Sequence, residues 1–510
     1  MMTLVSALGE VMLAVSSSTA PQPSPSVPPS PANTSWSLAP GIGTVVGAVI
    51  AGGIGVLSAR YTAKQQRATT SLTLGQARES AQAALEHQTA RLLNERFATA
   101  AAQLGHEKAA VRLAGVHALA GLADDWVAQQ QTCIDVLCAY LRMPYATEPD
   151  ATAPVDERME WRAEQQVRHT VIEVIRTHLQ ADGTWLGRDF DFTGVVFDGG
   201  SFEGARFQGG NVSFTEARFS SGAISFRNAK FIGAAVSFHS AKFTGGKVAF
   251  NGAHFAGAVS FVGSRFVGAD VLFVAHFEDG TVNFSAAQFI GGNTTFRGAQ
   301  FNGATVQFTR ARFLPTSSVI FSHSRLTAGK VTFHHAEFSG GDVDFSNAEI
   351  KGGRFDFQES LISGGRVDFR TAQFHGGEMS FRGASFIGGS VPFSDATFTG
   401  GEVCFEEAQL KLRGGVYFDQ ARFGGSRFSF CDMEIMPGSK LSFYSAQFTA
   451  GTADFRSTLF RGGEVDFRSA LFQGGNVDLQ HPGAWDEPPV FDAEVIANPP
   501  EGLLLPPRTS

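Results

Sequence analysis

The chain has 510 residues, and its aromatic side chains are 48 Phe against 5 Trp and 5 Tyr. So strong a bias indicates one structural position used many times, which is typical of a repeat architecture. A formal net charge of −8 excludes a generally basic nucleic-acid-binding protein, and a hydrophobic content of 43% excludes a wholly disordered chain. Only 4 cysteines are present, which excludes a disulfide scaffold.

The first 37 residues predict a disordered N-terminal tail, because the stretch from Pro21 to Pro31 is rich in Pro and Ser. Residues 1–16 are apolar but contain Glu10 and lack a basic segment. A signal peptide within residues 1–20 is therefore an alternative that the sequence leaves open.

Residues 38–59 predict a transmembrane helix. This stretch contains no charged side chain and is long enough, as a helix, to cross a hydrocarbon core of about 30 Å. No Lys or Arg precedes it, whereas Arg60, Lys64 and Arg67 follow it directly. The positive-inside rule then predicts a single-pass cell-membrane protein with its N-terminus outside and its repeat domain in the cytoplasm.

Small residues recur at every fourth position of this predicted span, at Gly43, Gly47, Ala51 and Gly55. Such a stripe lets two helices approach closely, so association of two copies into a homo-oligomer is a hypothesis.

Residues 60–185 predict an α-helical linker or bundle, because apolar residues recur at helical spacing. The first helix has an apolar face that includes Leu85 and Leu92, and Gly105 ends it. The other predicted helices and the loop before the last of them are Glu107–Ala123, Thr132–Arg142, the loop Pro144–Pro154, and Trp161–Leu179. Cys133 and Cys138 are interpreted as small buried apolar side chains.

From Phe190 to Phe472 the sequence repeats a double unit, F-x-G-G-x-V-x-F-x-x-A-x, in which Phe recurs after alternate steps of seven and five positions. A small apolar residue, in most cases Val or Ala, stands two positions before most of these Phe residues, and residues two apart on a strand share a face. Each short strand should therefore bury one small and one large side chain, and Gly-Gly pairs should form corners. The predicted core ladder comprises Phe231, Phe238, Phe243, Phe250, Phe284, Phe289, Phe296, Phe301, Phe308, Phe381, Phe386, Phe393 and Phe398.

This small-x-bulky pattern resembles the pentapeptide-repeat family. The resemblance implies a mainly β fold: a right-handed parallel β-helix over residues 186–480, preceded by one transmembrane helix and a small α-helical segment. Every second step here is seven positions rather than five, which predicts a coil made of two double units and leaves its cross-section open. Residues 95–125 resemble the linker of actinobacterial membrane-anchored members of the family. Residues 481–510 are predicted to be a loose Pro-rich tail that partly covers the end of the β-helix.

The sequence contains no recognisable constellation of nucleophile, base and acid, so no catalytic, cofactor or metal site is predicted. The adjacent His334 and His335 should point to opposite faces of a strand and not form a chelating pair. Asp344, Asp356 and Asp368 recur at one position of successive double units and are predicted to form an outward ladder, as are Asp454, Asp466 and Asp478.

Charge is distributed unevenly along the repeats. Residues 206–330 contain 12 basic and 4 acidic residues, whereas residues 337–478 contain 13 basic and 19 acidic residues. The basic half could hold the repeat domain against an anionic membrane surface. The predicted function is a membrane-anchored, non-enzymatic scaffold with an unidentified protein partner and no nucleic-acid partner.

Two alternatives remain. The first is a DNA mimic that binds DNA gyrase, because the best-understood members of the family that this chain resembles do so through an acidic surface. Duplex DNA carries one charge per about 1.7 Å of its axis, whereas this repeat region is nearly neutral. The other alternative is an exported cell-surface protein.

Overall fold

The computed structural model describes residues 47–507, with side chains described from Tyr61 onwards except at residues 62 and 68. The described residues divide into two compact units, one that ends at Gly105 and one that begins at His106. The predicted tail, the alternative signal peptide and the first part of the predicted span, residues 38–46, lie outside the described residues.

The first unit contains one long helix, α1 (Gly47–Leu104). The second part of the predicted span forms the start of this helix. Within the described residues, no helix combines the length and the apolar character needed to cross a membrane. Leu85 and Leu92, on the predicted apolar face of α1, are exposed.

The second unit begins with three helices, α2 (Ala109–Asp125), α3 (Gln130–Arg142) and α4 (Val155–His178), with a 3-10 turn at Val127–Gln129. Their buried faces carry apolar side chains such as Val116, Leu137 and Val171. The predicted helical segment, residues 60–185, extends over both units, since α1 belongs to the first and α2–α4 to the second. Within the second unit, α2–α4 pack against one another, and α3 and α4 also contact the first strands of the repeats.

The repeats form a parallel β-solenoid of about 13 turns. The strands β1 to β45 are, in chain order, Phe190–Asp191, Val196–Phe197, Gly200–Ser201, Arg206–Gln208, Asn211–Ser213, Arg218–Phe219, Ala223–Ser225, Lys230–Ile232, Ala235–Ser237, Lys242–Phe243, Lys247–Ala249, His254–Phe255, Ala258–Ser260, Arg265–Phe266, Asp270–Leu272, His276–Phe277, Thr281–Asn283, Gln288–Phe289, Asn293–Thr295, Gln300–Gln307, Arg312–Phe313, Ser318–Ile320, Arg325–Thr332, Glu337–Asp344, Glu349–Ile350, Arg354–Asp356, Leu361–Asp368, Gln373–Phe374, Glu378–Ser380, Ser385–Ile387, Ser390–Pro392, Thr397–Phe398, Glu402–Cys404, Gln409–Lys411, Gly415–Tyr417, Arg422–Ser429, Glu434–Ile435, Lys440–Ser442, Gln447–Asp454, Leu459–Phe460, Glu464–Asp466, Leu471–Phe472, Asn476–Asp478, Ala484–Trp485 and Leu503–Leu504.

Four columns of stacked strands make up the solenoid, so its coil is four-sided. One turn contains β8, β9, β10 and β11, and β12 then pairs in parallel with β8. The register pairs Lys230 on β8 with His254 on β12, which are two double units apart in the sequence. The predicted coil of two double units is therefore confirmed for this turn, and the cross-section that the sequence left open is resolved. Other turns differ slightly in length, since Phe190 pairs with Val212 and Gln300 pairs with Arg325.

Stacked Phe rings fill the interior of the solenoid. The ring centroids of Phe231 and Phe255 are 4.9 Å apart, and those of Phe238 and Phe261 are 4.6 Å apart. The structure buries every Phe of the core ladder that the sequence singled out. Offset aromatic stacking adds to the free energy gained by removing these rings from water.

The corners of the solenoid are of two kinds. Glycines with positive φ, such as Gly246 at +69°, form the corners that the Gly-Gly pairs predicted. A second kind of corner, which the sequence pattern did not predict, places side chains other than glycine at positive φ, in several cases at intervals of 12 residues, as at Glu216, Asn228 and Ser240. Ser240 is one of them, at +55°, and its backbone N–H donates to the carbonyl of Val262 on the next turn at 2.9 Å.

The helices close the N-terminal end of the solenoid through a buried carboxylate. Asp198, which follows β2, accepts hydrogen bonds from Tyr145 at 2.6 Å, from Gln165 at 2.9 Å and from the ring of His169 at 3.0 Å. Burial raises the pKa of Asp198, but these hydrogen bonds outweigh it and hold the pKa below its usual value. The ionised carboxylate thus joins α4 to the first turn of the repeats.

The C-terminal segment forms an ordered cap over the last turns, which corrects the prediction of a loose tail. Phe491 stacks on Phe467 at 4.9 Å and so extends one aromatic column. Trp485 contacts Phe460 edge-on at 5.0 Å, and β45 pairs with β43. A short helix, α5 (Ala493–Ala497), lies between these elements. The terminal apolar rings are thereby removed from water, as the ends of a solenoid require.

Candidate interaction surface

Basic side chains form a ladder on the outside of the N-terminal half of the solenoid. Arg218, Lys242 and Arg265 occupy the same register position on the successive strands β6, β10 and β14. Arg206 and Lys230 are paired in the same way on β4 and β8. Stacked strands are about 4.8 Å apart, so these ladders place cations next to cations.

Like charges directly opposite one another on paired strands are destabilising. In the described part of the chain, nine of the 12 cations of residues 206–330 make no ion pair. They are Arg206, Arg218, Arg227, Lys230, Lys242, Lys247, Arg265, Arg297 and Arg310, whereas Arg312, Arg325 and Lys330 are paired with carboxylates. The nine unpaired cations, hereafter the basic surface, thus retain their charge for an anionic partner.

A shallow groove of about 360 Å³ runs along one face of the solenoid between these two ladders. Small side chains of four successive strands line it, among them Ser213, Ala235, Ala258 and Thr281. The strands of the groove lie between β4 and β8 on one side and β6, β10 and β14 on the other. The small side chains leave the flanking cations accessible to an extended anionic surface.

The C-terminal half of the solenoid uses its cations differently. Nine of the 13 cations of residues 337–478 form ion pairs, for example Arg370 with Asp368 at 2.7 Å and Arg468 with Asp466 at 2.7 Å. The hydrogen bond from Arg468 lowers the pKa of Asp466 below its usual value. Most cations of the C-terminal half are therefore neutralised by carboxylates of the same half.

The prediction that the periodic aspartates point outward is wrong for several of them. Asp356, Asp368 and Asp466 are buried, with at most 5% of each residue exposed. The side chain of Asp356 accepts a hydrogen bond at 3.1 Å from the backbone N–H of Gln358, two residues further on. The aspartates close the corner by an Asx turn, which sequence periodicity alone does not distinguish from an exposed ladder. Asp344, Asp454 and Asp478 make the same backbone contact.

The prediction that His334 and His335 point to opposite faces is also wrong. Their ring centroids lie 4.1 Å apart, because His335 sits at a corner with φ of +55° rather than in a strand. Among the described residues, they form with Glu359 the one cluster of three side chains able to share a metal ion.

The cysteines are free thiols. Cys133 and Cys138 lie in α3 and are buried, as interpreted from the sequence. Burial raises the pKa of the Cys133 thiol to about 11 and that of Cys138 to about 12. Both side chains are therefore protonated and unreactive at neutral pH.

Most of the residues singled out for the membrane span and its basic flank lie in α1. Gly43 lies outside the described residues. Gly47, Ala51, Gly55 and Arg60 are in α1, and their side chains are not described. Lys64 and Arg67 are exposed.

The repeats match a known family. Residues 221–265 match the family model described as pentapeptide repeats (9 copies). Residues 221–265 are therefore similar to pentapeptide repeats, and they lie within the four-sided parallel solenoid. No curated protein matches the chain.

Two solved structures are similar to the chain at low identity. HetL, a pentapeptide repeat protein involved in heterocyst differentiation regulation from the cyanobacterium Nostoc sp. strain PCC 7120, is 12% identical, over 54% of this chain and 90% of HetL, with a TM-score of 0.14. QnrB1, a plasmid-mediated fluoroquinolone resistance protein, is 16% identical, over 51% of this chain and 88% of QnrB1, with a TM-score of 0.17.

Proposed function

We propose that the chain is a membrane-anchored, non-enzymatic scaffold whose solenoid lies in the cytoplasm and presents its outer faces to a protein partner. The observation that carries the proposal is the basic surface, which supports the contact of the solenoid with the membrane: nine cations of residues 206–330 have no ion pair among the described residues. A protein that needed only a stable solenoid would pair these charges, as the C-terminal half does.

The partner of the basic surface is the anionic headgroup layer of the cytoplasmic leaflet. Each Lys or Arg near such a surface contributes about 1 kcal/mol to binding. The residues that follow the uncharged stretch 38–59 are basic and those before it are not, which supports a single span with its C-terminal side in the cytoplasm. The stripe Gly43, Gly47, Ala51 and Gly55 supports association of two such spans.

The alternative of a DNA mimic that binds gyrase has less support. Residues 188–478 contain 26 basic and 27 acidic residues. Of the 19 acidic residues at positions 337–478, 12 form ion pairs. A mimic of duplex DNA needs a charge density near one per about 1.7 Å, unpaired along its surface. Inhibition of gyrase supercoiling by the compact unit 106–510 would favour this alternative.

Charge neutralisation of the basic ladder tests the proposed contact with lipid. We expect the triple variant Arg218→Gln, Lys242→Gln, Arg265→Gln of residues 106–510 to bind vesicles of phosphatidylserine and phosphatidylcholine about 100-fold more weakly, because three cations at about 1 kcal/mol each are lost. Co-sedimentation at low and high salt measures the affinity.

The matched control is the triple variant Arg413→Gln, Arg422→Gln, Arg427→Gln. It removes the same charge from cations of the C-terminal half that also have no ion pair among the described residues. The control should bind as tightly as the unmodified unit. An equal loss of vesicle affinity in both triple variants would contradict the proposal that the basic surface is the lipid-binding site. Vesicle binding that does not weaken as the salt concentration rises would also contradict it.

A further inference from the structure

His334, His335 and Glu359 meet at one corner of the solenoid, outside the basic surface. The ligand atoms of the three side chains all lie within 4.8 Å of one another. Nδ1 of His335 is 3.3 Å from a carboxylate oxygen of Glu359. We propose that these three residues bind a divalent transition-metal ion, and that the ion is Zn²⁺.

The fold itself brings the three residues together. His335 and Glu359 occupy the same corner on successive turns and both have positive φ, +55° and +54°. The register is fixed by the pairing of Thr332 with Asp356 and by the hydrogen bond from the backbone N–H of His335 to the carbonyl of Gln358, at 3.0 Å. The left-handed conformation of His335 turns its ring towards that of His334 instead of to the opposite face.

The spacing suits a tetrahedral ion. Zn²⁺ binds imidazole nitrogen at about 2.0–2.1 Å and carboxylate oxygen at about 2.0–2.2 Å, so two such ligands in a tetrahedron are separated by about 3.3–3.5 Å. The distance between His335 and Glu359 already has this value. A change in the side-chain torsions of His334 would complete a set of two nitrogens and one oxygen.

The donor set also selects the class of ion. Imidazole suits zinc, copper and nickel, whereas magnesium and calcium prefer all-oxygen sites. The three ligands leave a fourth position open to water or to a side chain of a partner. His335 and Glu359 are exposed and His334 is half-buried, so an ion can reach the site from solvent.

Another histidine ladder of the same solenoid provides a matched control. The rings of His254 and His276 are stacked at 4.7 Å, and His254 lies 3.0 Å from Glu278. This ladder has the same residue types, yet its three ligand atoms do not converge as those of the proposed site do.

The test is titration of the purified full chain, in detergent, with Zn²⁺ against a chromophoric chelator. We expect one site, and we expect His335→Asn, His334→Asn and Glu359→Gln each to weaken it by about 10-fold or more, since even residues that only support metal ligands typically contribute that much. His254→Asn should leave the affinity unchanged. Melting without metal checks that each variant folds.

Two results would overturn the proposal: no binding of Zn²⁺ at micromolar concentration, or binding that the three site variants leave unchanged. A loss of binding in His254→Asn equal to that in His335→Asn also contradicts it, because the ion would then not distinguish the convergent cluster from an ordinary histidine ladder. Visible absorption of a Co²⁺-loaded chain provides a second readout of tetrahedral coordination, which His335→Asn should abolish.

Discussion

Replacement of Phe296 by alanine lowers the local free energy of unfolding of the solenoid by about 3–5 kcal/mol. The ring of Phe296 is fully buried and stacks between those of Phe273, at 4.8 Å, and Phe321, at 4.5 Å. Its removal leaves a cavity that the rigid neighbouring turns cannot close. The lost transfer free energy of the ring and the cost of the cavity therefore both lower the free energy of unfolding.

Native-state hydrogen exchange of the amides in the adjacent turns measures this loss, because opening of a repeat protein is local. Val267→Ala is the control, since Val267 is 39% exposed and its truncation leaves no cavity. We expect less than about 1 kcal/mol there. Unchanged exchange in Phe296→Ala would contradict the stacked column as the source of stability.

Replacement of Gly246 by alanine has the second large effect, again about 3–5 kcal/mol. Gly246 has φ of +69°, and an added Cβ would lie 2.3 Å from the carbonyl oxygen of Gly222 on the preceding turn. Because the obstacle is backbone, no side chain can rotate away, and the turn must shift.

Gly298 separates the two causes of this effect. It has the same φ of +69°, but an added Cβ would meet no atom within 4 Å. Gly298→Ala should therefore cost only the strain of a left-handed residue, about 1–2 kcal/mol. Thermal and urea unfolding of the two variants give the comparison. Equal losses would mean that conformation alone, and not the close approach of turns, requires glycine at position 246.

The sequence predicts the interior of this fold well, because the interior obeys a strict period. A Phe two positions after a Val or Ala has one way to lie on a short strand, and the parallel solenoid follows from its repetition. The same argument places Phe231 and Phe243 inside the solenoid, and both are fully buried.

The corners are predicted less well, since their geometry depends on φ and not on polarity. The repeat period shows that Asp368 occupies a recurring position. It does not show that the carboxylate accepts a hydrogen bond from the backbone N–H of Arg370. Likewise, His335 adopts a left-handed conformation that its residue type does not indicate. The cluster of His334, His335 and Glu359 was not predicted, although the repeat pattern contains a signal for it. His335 directly precedes the Ala of its repeat, as Ser240 does, and both residues lie at a corner of the second kind.

Charge pairing is the other property that the sequence could not supply. Counting charges shows a basic and an acidic half, but only the structure shows that Arg468 is paired whereas Lys242 is not. The difference depends on which side chains occupy the same register on successive turns, and a one-residue change of register alters it.

Protease protection of a C-terminal tag tests the proposed membrane topology most directly. The full chain is expressed with a tag after Ser510, and protease is added to intact cells and to lysed cells. The proposal predicts that the tag survives in intact cells and is lost after lysis, because the solenoid lies in the cytoplasm. Loss of the tag from intact cells would place the solenoid outside and contradict a scaffold at the cytoplasmic leaflet.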